Sequence, residues 1–186
     1  MDTSVDEIDI KILSCLQEDA TMPVADVAAQ CGLSTSPCWR RIQALIRNRT
    51  ILRRVALLDP AKINAGINLF VSIRTSQHSE AWATKFCRAA AQIPEVIEFY
   101  RMTGDVDYLL RVVVPNIAAY DDFYKRLIKT GELSDVSSSF AMETIKYTTA
   151  LPLEYVNVQK SSAEAEPTGQ VTKRVRPKRS RNANRL

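Results

Sequence analysis

PVADVAAQCGLSTSPCWRRIQAL, residues 23–45, is the stretch from which the fold of the N-terminal region follows. Val24, Val27, Ala28 and Cys31 fall on one face of a helix with a repeat of about 3.6 residues. Gly32 is placed to end that helix in the left-handed conformation, which glycine enters without steric cost. Ala28, shortly before the glycine, lets another helix cross closely at the turn, and this spacing is the signal of a helix-turn-helix. The next helix has Ser34 as its N-cap and Pro37 in its first turn, where a missing amide hydrogen is no loss. At about 100° per residue, Cys38, Ile42, Leu45 and Ile46 share the inward arc, while Ser36, Arg40, Gln43 and Arg47 lie opposite. Trp39 and Arg41 fall at the two edges of that arc, and Trp39 is expected to pack at the edge of the core, with contact to a sugar-phosphate backbone as the alternative. The outward stripe therefore carries two guanidinium groups, an amide and a hydroxyl, and no carboxylate. Both a solvated basic face and a face that enters a DNA groove fit this pattern.

Upstream, residues 4–17 read as a helix whose capping box is Ser4 with Glu7, and whose buried stripe is Ile8, Ile12, Leu13 and Leu16. Downstream, ILRRVALLDPAKI reads as a strand that suits a wing or a linker: Ile51, Leu52, Val55, Leu57 and Leu58, broken at Asp59 and Pro60. From Asn68 the pattern changes. NLFVSIRT, VIEFYRMT, DYLLRVVV and VSSSFAMETIKY are strands, and SEAWATKFCRAAAQI and IAAYDDFYKRLIK are helices. Their order, β-α-β-β-α-β with a hairpin at Gly104 and Asp105, is that of a ferredoxin-like domain. Such a sheet covers one face with its own helices and leaves the other bare, so a homodimer or larger assembly is expected.

The totals exclude several classes. The chain has 186 residues, 46% of them apolar and 25% charged, as in ordinary globular proteins. No apolar run approaches the roughly 18 to 20 residues of a membrane span, and the acidic start MDTSVDEIDIKIL is no signal peptide, so a cytoplasmic protein is expected. Cys15, Cys31, Cys38 and Cys87 form no C-x-x-C pair, and the single histidine, His78, has no ligand at metal-site spacing. Neither metal nor cofactor is expected. Cys15, Cys31 and Cys38 read as small core fillers, with a redox role for Cys38 open if the neighbouring arginines lower its thiol pKa. The formal charge is +4, but residues 159–186 hold eight basic and two acidic side chains, so the first 158 residues carry a net −2. DNA binding must then rest on a local patch. The basic terminus lacks aromatic residues and reads as a flexible tail, either solubilising or attracted to DNA.

Taken together, DEIDIKIL, VADVAAQCGLSTSPCWRRIQAL and RMTGDVDYLLRVVVP resemble the leucine-responsive and asparagine-operon regulators, the Lrp/AsnC or feast/famine family, from about Val5 to Ala150. The resemblance implies an α+β protein with an N-terminal winged helix-turn-helix and a C-terminal ferredoxin-like effector and oligomerisation domain. It also implies dimers that can assemble into octamers, and transcriptional control by an amino acid from a nucleoid-associated, cytoplasmic protein. The expected segments are 1–50 for DNA binding, 51–66 for the wing or linker, 67–158 for the effector domain and 159–186 for the tail. Two departures stand out: RNRTI replaces the family glycine after the recognition helix, with Asn48 suited to the left-handed turn, and the tail lies outside the family pattern.

The expected DNA contacts are Ser34, Thr35 and Ser36 for phosphate, Arg40 and Arg47 for guanine and Gln43 for adenine, with Arg41 among them. For an α-amino acid, TGDVDY offers carboxylates for the ammonium and loop amides for the carboxylate. The expected effector residues are Met102, Thr103, Gly104, Asp105, Asp107, Tyr108, Ser137 and Ser138. Two other functions compete with a ligand-gated regulator. One is an architectural DNA-wrapping protein; the other is an enzyme, since the two-domain plan also resembles siroheme decarboxylases. The latter would want histidines near a tetrapyrrole, and His78 lies away from the GDVDY loop.

Overall fold

In the computed structural model, which describes residues 5–156, the first helix opens on a pair of aspartates. Helix α1 (Glu7–Glu18) is capped by Asp6, whose carboxylate accepts from the Asp9 amide at 2.8 Å while the Asp9 carboxylate accepts from the Asp6 amide at 3.3 Å. Ser4 lies outside the described residues, and Glu7, expected to complete a box with it, is the first residue of the helix. Helix α2 (Val24–Cys31) ends as expected on Gly32, at φ +68°. The Gly32 and Leu33 amides turn back to the Ala29 and Ala28 carbonyls. Helix α3 (Thr35–Arg47) begins after Ser34 in extended conformation.

These helices close on Ile12, Val27, Cys38 and Ile42, all excluded from solvent, with Leu13, Ala28, Cys31 and Leu45 around them. Ile46 departs from the expected arc and is 38% exposed. After α3, Asn48 stays at φ −80°, and Arg49, not Asn48, takes the left-handed turn at φ +59°. The same unit takes in residues 150–156. There the Gln17 side-chain amide pairs with the Leu151 backbone in both directions, and Leu153 packs on the helical core. The second compact unit spans residues 53–149.

That second unit is a four-stranded antiparallel sheet in the order β2-β3-β1-β4 with two helices, in the chain order of a ferredoxin-like fold. Its elements are β1 (Ile67–Arg74), α4 (Glu80–Ala90), β2 (Val96–Arg101), β3 (Tyr108–Val114), α5 (Ile117–Leu127) and β4 (Asp135–Phe140). Ser79 and Asn116 cap α4 and α5 through their side chains. Leu69, Val71 and Ile73 of β1 and Tyr108, Leu110, Val112 and Val114 of β3 alternate onto the helix side, where Phe86 and Phe123 complete the core. The opposite side presents Phe70, Ser72, Leu109 and Arg111, and neither helix of this unit covers it.

Residues 51–66, expected to hold a strand, contain none, and Leu52, Val55, Leu57 and Leu58 are exposed. A strand needs a neighbour for its amides; both sides of β1 are taken by β3 and β4, and residues 51–66 do not pair with the outer edge of either β2 or β4. The last strand likewise stops at Phe140 instead of reaching Tyr147. Its partner β1 begins at Ile67, so the pairing runs out just beyond the Ala141 amide, which bonds to Asn68.

Candidate nucleic-acid interface and effector loop

The N-terminus of α3 is built to meet an anion. Ser34 makes no side-chain cap bond, the first turn holds no acid, and the opening amides have no partner within the helix. Ser34, Thr35, Ser36, Arg40 and Arg47 are exposed, and Gln43 is half-buried. Neither Arg40 nor Arg47 has an ion-pair partner among the described residues.

Arg41 is different. Its guanidinium reaches the Asp6 carboxylate at 2.7 Å and the Asp9 carboxylate at 2.9 Å, and the Asp9 side chain is only 12% exposed. Arg41, expected among the DNA contacts, is engaged by both carboxylates and links α3 to the start of α1. Nothing in the sequence pointed to this link, because Asp6 and Asp9 read as ordinary N-terminal acids until the fold brings α3 beside them. Burial raises the pKa of Asp6, but hydrogen bonds from the Asp9 amide and the Arg41 guanidinium outweigh it and hold the carboxyl below 3.8.

Trp39 also departs from expectation. It does not pack into the core edge, and 54% of it remains in solvent. The Cys38 thiol is buried, and burial pushes its pKa up; Cys31 is pushed up to about 11 by burial and the adjacent Cys15. For Cys38 both influences, burial and the neighbouring Cys15, raise the thiol pKa, and the arginines beside it in sequence do not activate it.

The loop between β2 and β3 separates the expected effector residues into two sets. Met102, Thr103, Gly104 and Asp105 are exposed at the tip, with Gly104 at φ +95°. Asp107 instead braces the loop from within: its carboxylate accepts from the Thr75 amide at 2.8 Å, its amide donates to Ile73, and its carbonyl accepts from the Met102 amide. Tyr108 turns away from the tip into the helix-side core, against Phe86 and Phe99, where burial raises its phenol pKa. Ser137 and Ser138 are neighbours on β4 and point to opposite faces, so they cannot line one pocket together. Ser138 pairs with Val71 on the helix side, and its hydroxyl is buried without a hydrogen-bond partner. Ser137 pairs with Ser72 on the open side.

Two groups of residues next to this loop escaped the sequence. Thr75, buried, donates through its hydroxyl to the Glu132 carbonyl, and Gln77 reaches the Glu132 carboxylate at 3.2 Å. On the open face, Arg111 bonds to Asn68 and to Glu98, Tyr100 donates to Glu98, and the Tyr147 ring lies 5.5 Å from the Arg111 guanidinium carbon. Alternation placed these side chains on one face, but only the register between strands could join them. No described helix is long and apolar enough to cross a membrane.

Comparison with known proteins gives the same two-part division. The model of the AsnC-type helix-turn-helix domain matches residues 5–46, and that of the Lrp/AsnC ligand binding domain matches residues 68–151. The glutamate uptake regulatory protein of Zymomonas mobilis is 49% identical over 149 residues, covering 80% of this chain and 91% of that protein. A crystal structure of an AsnC family transcriptional regulator from Agrobacterium tumefaciens is 62% identical with a TM-score of 0.79, covering 81% of this chain and 99% of that one. A transcriptional regulator of Neisseria meningitidis in complex with L-methionine is 32% identical with a TM-score of 0.77, over 81% of this chain and 98% of that one.

Proposed function

This chain belongs to the Lrp/AsnC family of transcriptional regulators, and from that premise we propose an operator-binding protein read out through α3 and gated by an amino acid. One observation carries the reading. Among the described residues Arg40 and Arg47 have no ion-pair partner, and they stand on the outward stripe of a helix whose N-terminus has no side-chain cap bond and no acid. Phosphate contacts from Ser34, Thr35 and Ser36 set the register, and Arg40, Gln43 and Arg47 read base edges. Arg41 is left out of the contact set because its charge is already satisfied.

The effector reading rests on the loop tip. Open amides near Gly104 suit a carboxylate, and the Asp105 side chain, exposed and without an ion pair among the described residues, suits an ammonium. The Neisseria relative holds L-methionine, which supports an amino acid as the ligand class here. Two copies of the chain are needed for the rest of the mechanism. The bare sheet face, together with the exposed apolar side chains at Leu52, Val55, Leu57, Leu58, Met142 and Ile145, argues for a homodimer, with an octamer as its higher assembly. A dimer presents two copies of α3 to half-sites about one helical turn apart, so the operator is roughly palindromic. An effector bound at the subunit boundary shifts DNA affinity by no more than its differential affinity for the two states.

The test is a thermal-shift screen of the twenty amino acids, since a ligand at 100 times its dissociation constant adds about 2.7 kcal/mol. Any hit is then carried into operator binding with and without it. A hit that leaves operator affinity unchanged refutes gating and leaves an architectural DNA protein. Failure to bind any duplex from upstream of its own gene at low salt refutes the regulator.

A further inference from the structure

We infer that Trp39 is a specificity-determining residue that packs its indole on a thymine methyl group in the operator; this rests on the reading of α3 as the DNA-contacting helix. The side chain is 54% exposed on a helix whose inward positions, Cys38, Ile42 and Leu45, are buried without it. It is therefore not needed to complete the core of the helical unit. Its indole N–H has no hydrogen-bond partner among the described residues.

Position on the helix decides what this ring can meet. Trp39 follows Ser36 by three residues and precedes Gln43 by four, so the three side chains are neighbours on the helix surface, with Arg40 next to them. Ile46 emerges on the same edge and is also partly exposed. The opposite edge is closed, because Arg41 there is tied to Asp6 and Asp9. The outward surface of α3 thus has a central stripe of cationic and amide groups bounded on one side by an open apolar edge. On the major-groove edges of base pairs, hydrogen-bonding groups answer the arginines and the glutamine. The thymine methyl is the apolar group there that answers a ring. Placing the indole near the N-terminal half of α3 fits the general geometry, in which that half contacts base edges.

The experiment uses the full-length protein and the duplex footprinted upstream of its own gene, with each thymine replaced in turn by deoxyuridine. That replacement removes only the methyl group and keeps every hydrogen-bonding edge. Affinity measured by fluorescence anisotropy is expected to fall about fourfold at one position per half-site, the loss that unburying a single methyl predicts. Trp39→Ala should abolish that sensitivity while keeping the response to changes at the positions read by Arg40. A flat deoxyuridine profile in the wild-type protein overturns the inference and leaves the regulator standing. Uniform weakening by Trp39→Ala with the profile unchanged also overturns it, and marks a sugar-phosphate contact. A change in mass by light scattering with the profile unchanged overturns it in favour of a subunit contact. If Trp39→Ala fails to fold, the wild-type profile and Trp39→Leu carry the test. Absence of binding by the wild-type protein refutes the DNA-binding reading itself, and the inference falls with it.

Discussion

Replacing Arg41 by alanine should damage DNA binding by unsettling α3, without removing a contact to DNA. The guanidinium bridges Asp6 at 2.7 Å and Asp9 at 2.9 Å. A hydrogen bond to a charged group contributes about 1.5–3 kcal/mol when well shielded. Arg41 and Asp6 are each about a third exposed, and solvent screening reduces their pair to well under 1 kcal/mol, as for surface ion pairs generally. Asp9 is largely enclosed and would be left without its cation, so most of the loss arises there; the total is about 2 kcal/mol. Trp39 belongs to the helical unit and Trp82 to the sheet unit, so urea unfolding followed by fluorescence in a Trp82→Phe background reports on the helical unit alone. Acid supplies a second readout. The pKa of Asp6 is depressed on folding, so the stabilisation it provides is present above its ordinary value of 3.8 and disappears as pH falls through the lower folded value. The wild-type protein should lose stability steeply below about pH 4, and Arg41→Ala should flatten that loss. DNA affinity should fall with no change in its salt dependence, whereas removing a phosphate contact lowers the log-log slope by about 0.9. An unchanged urea midpoint together with a shallower salt slope would refute the brace and restore Arg41 to the DNA contacts.

Three further outcomes follow from single positions. Ser138→Ala removes a buried hydroxyl that has no partner and should raise stability of the sheet unit by about 1 kcal/mol in urea melts, with the effector response intact; loss of that response would make Ser138 a ligand. Arg49→Gly relieves a left-handed non-glycine residue at φ +59° and should stabilise the helical unit by about 1 kcal/mol in the same assay. Asp105→Ala should leave operator binding unchanged in the absence of ligand and eliminate the amino-acid effect on it; loss of both would mean the loop tip is structural.

The helix-turn-helix was legible because its signals are local. Ala28 with Gly32, Ser34 with Pro37 and the inward series Cys38, Ile42 and Leu45 each operate within one or two turns, and the structure holds them as read. The rest has a different origin. The ion pairs of Arg41 were not legible because its partners lie more than thirty residues upstream. Tyr108 and Ser138 face the helix side, a placement that alternation with period 2 already assigns and that nearness to the loop obscured. Trp39 was judged by the hydrophobicity of its ring, a property that leaves open whether a core position or a ligand will receive it.

The linker is the harder case, and it shows where a single chain stops being informative. Val55 and Leu57 alternate as strand residues should, as do Ile145 and Tyr147, yet neither segment is a strand. The amino-acid pattern specifies which side chains face which way once a segment is extended, whereas hydrogen bonding specifies whether a partner exists. Among the described residues both sides of β1 are occupied, and neither segment pairs with the open outer edge of β2 or β4. A second copy that supplied a neighbour for residues 51–58 would let them pair as a strand, and strand formation would then accompany assembly. Circular dichroism across a dilution series separates the alternatives: strand content that falls as the dimer dissociates places the missing strand in the interface, while constant content leaves residues 51–58 a linker in every state.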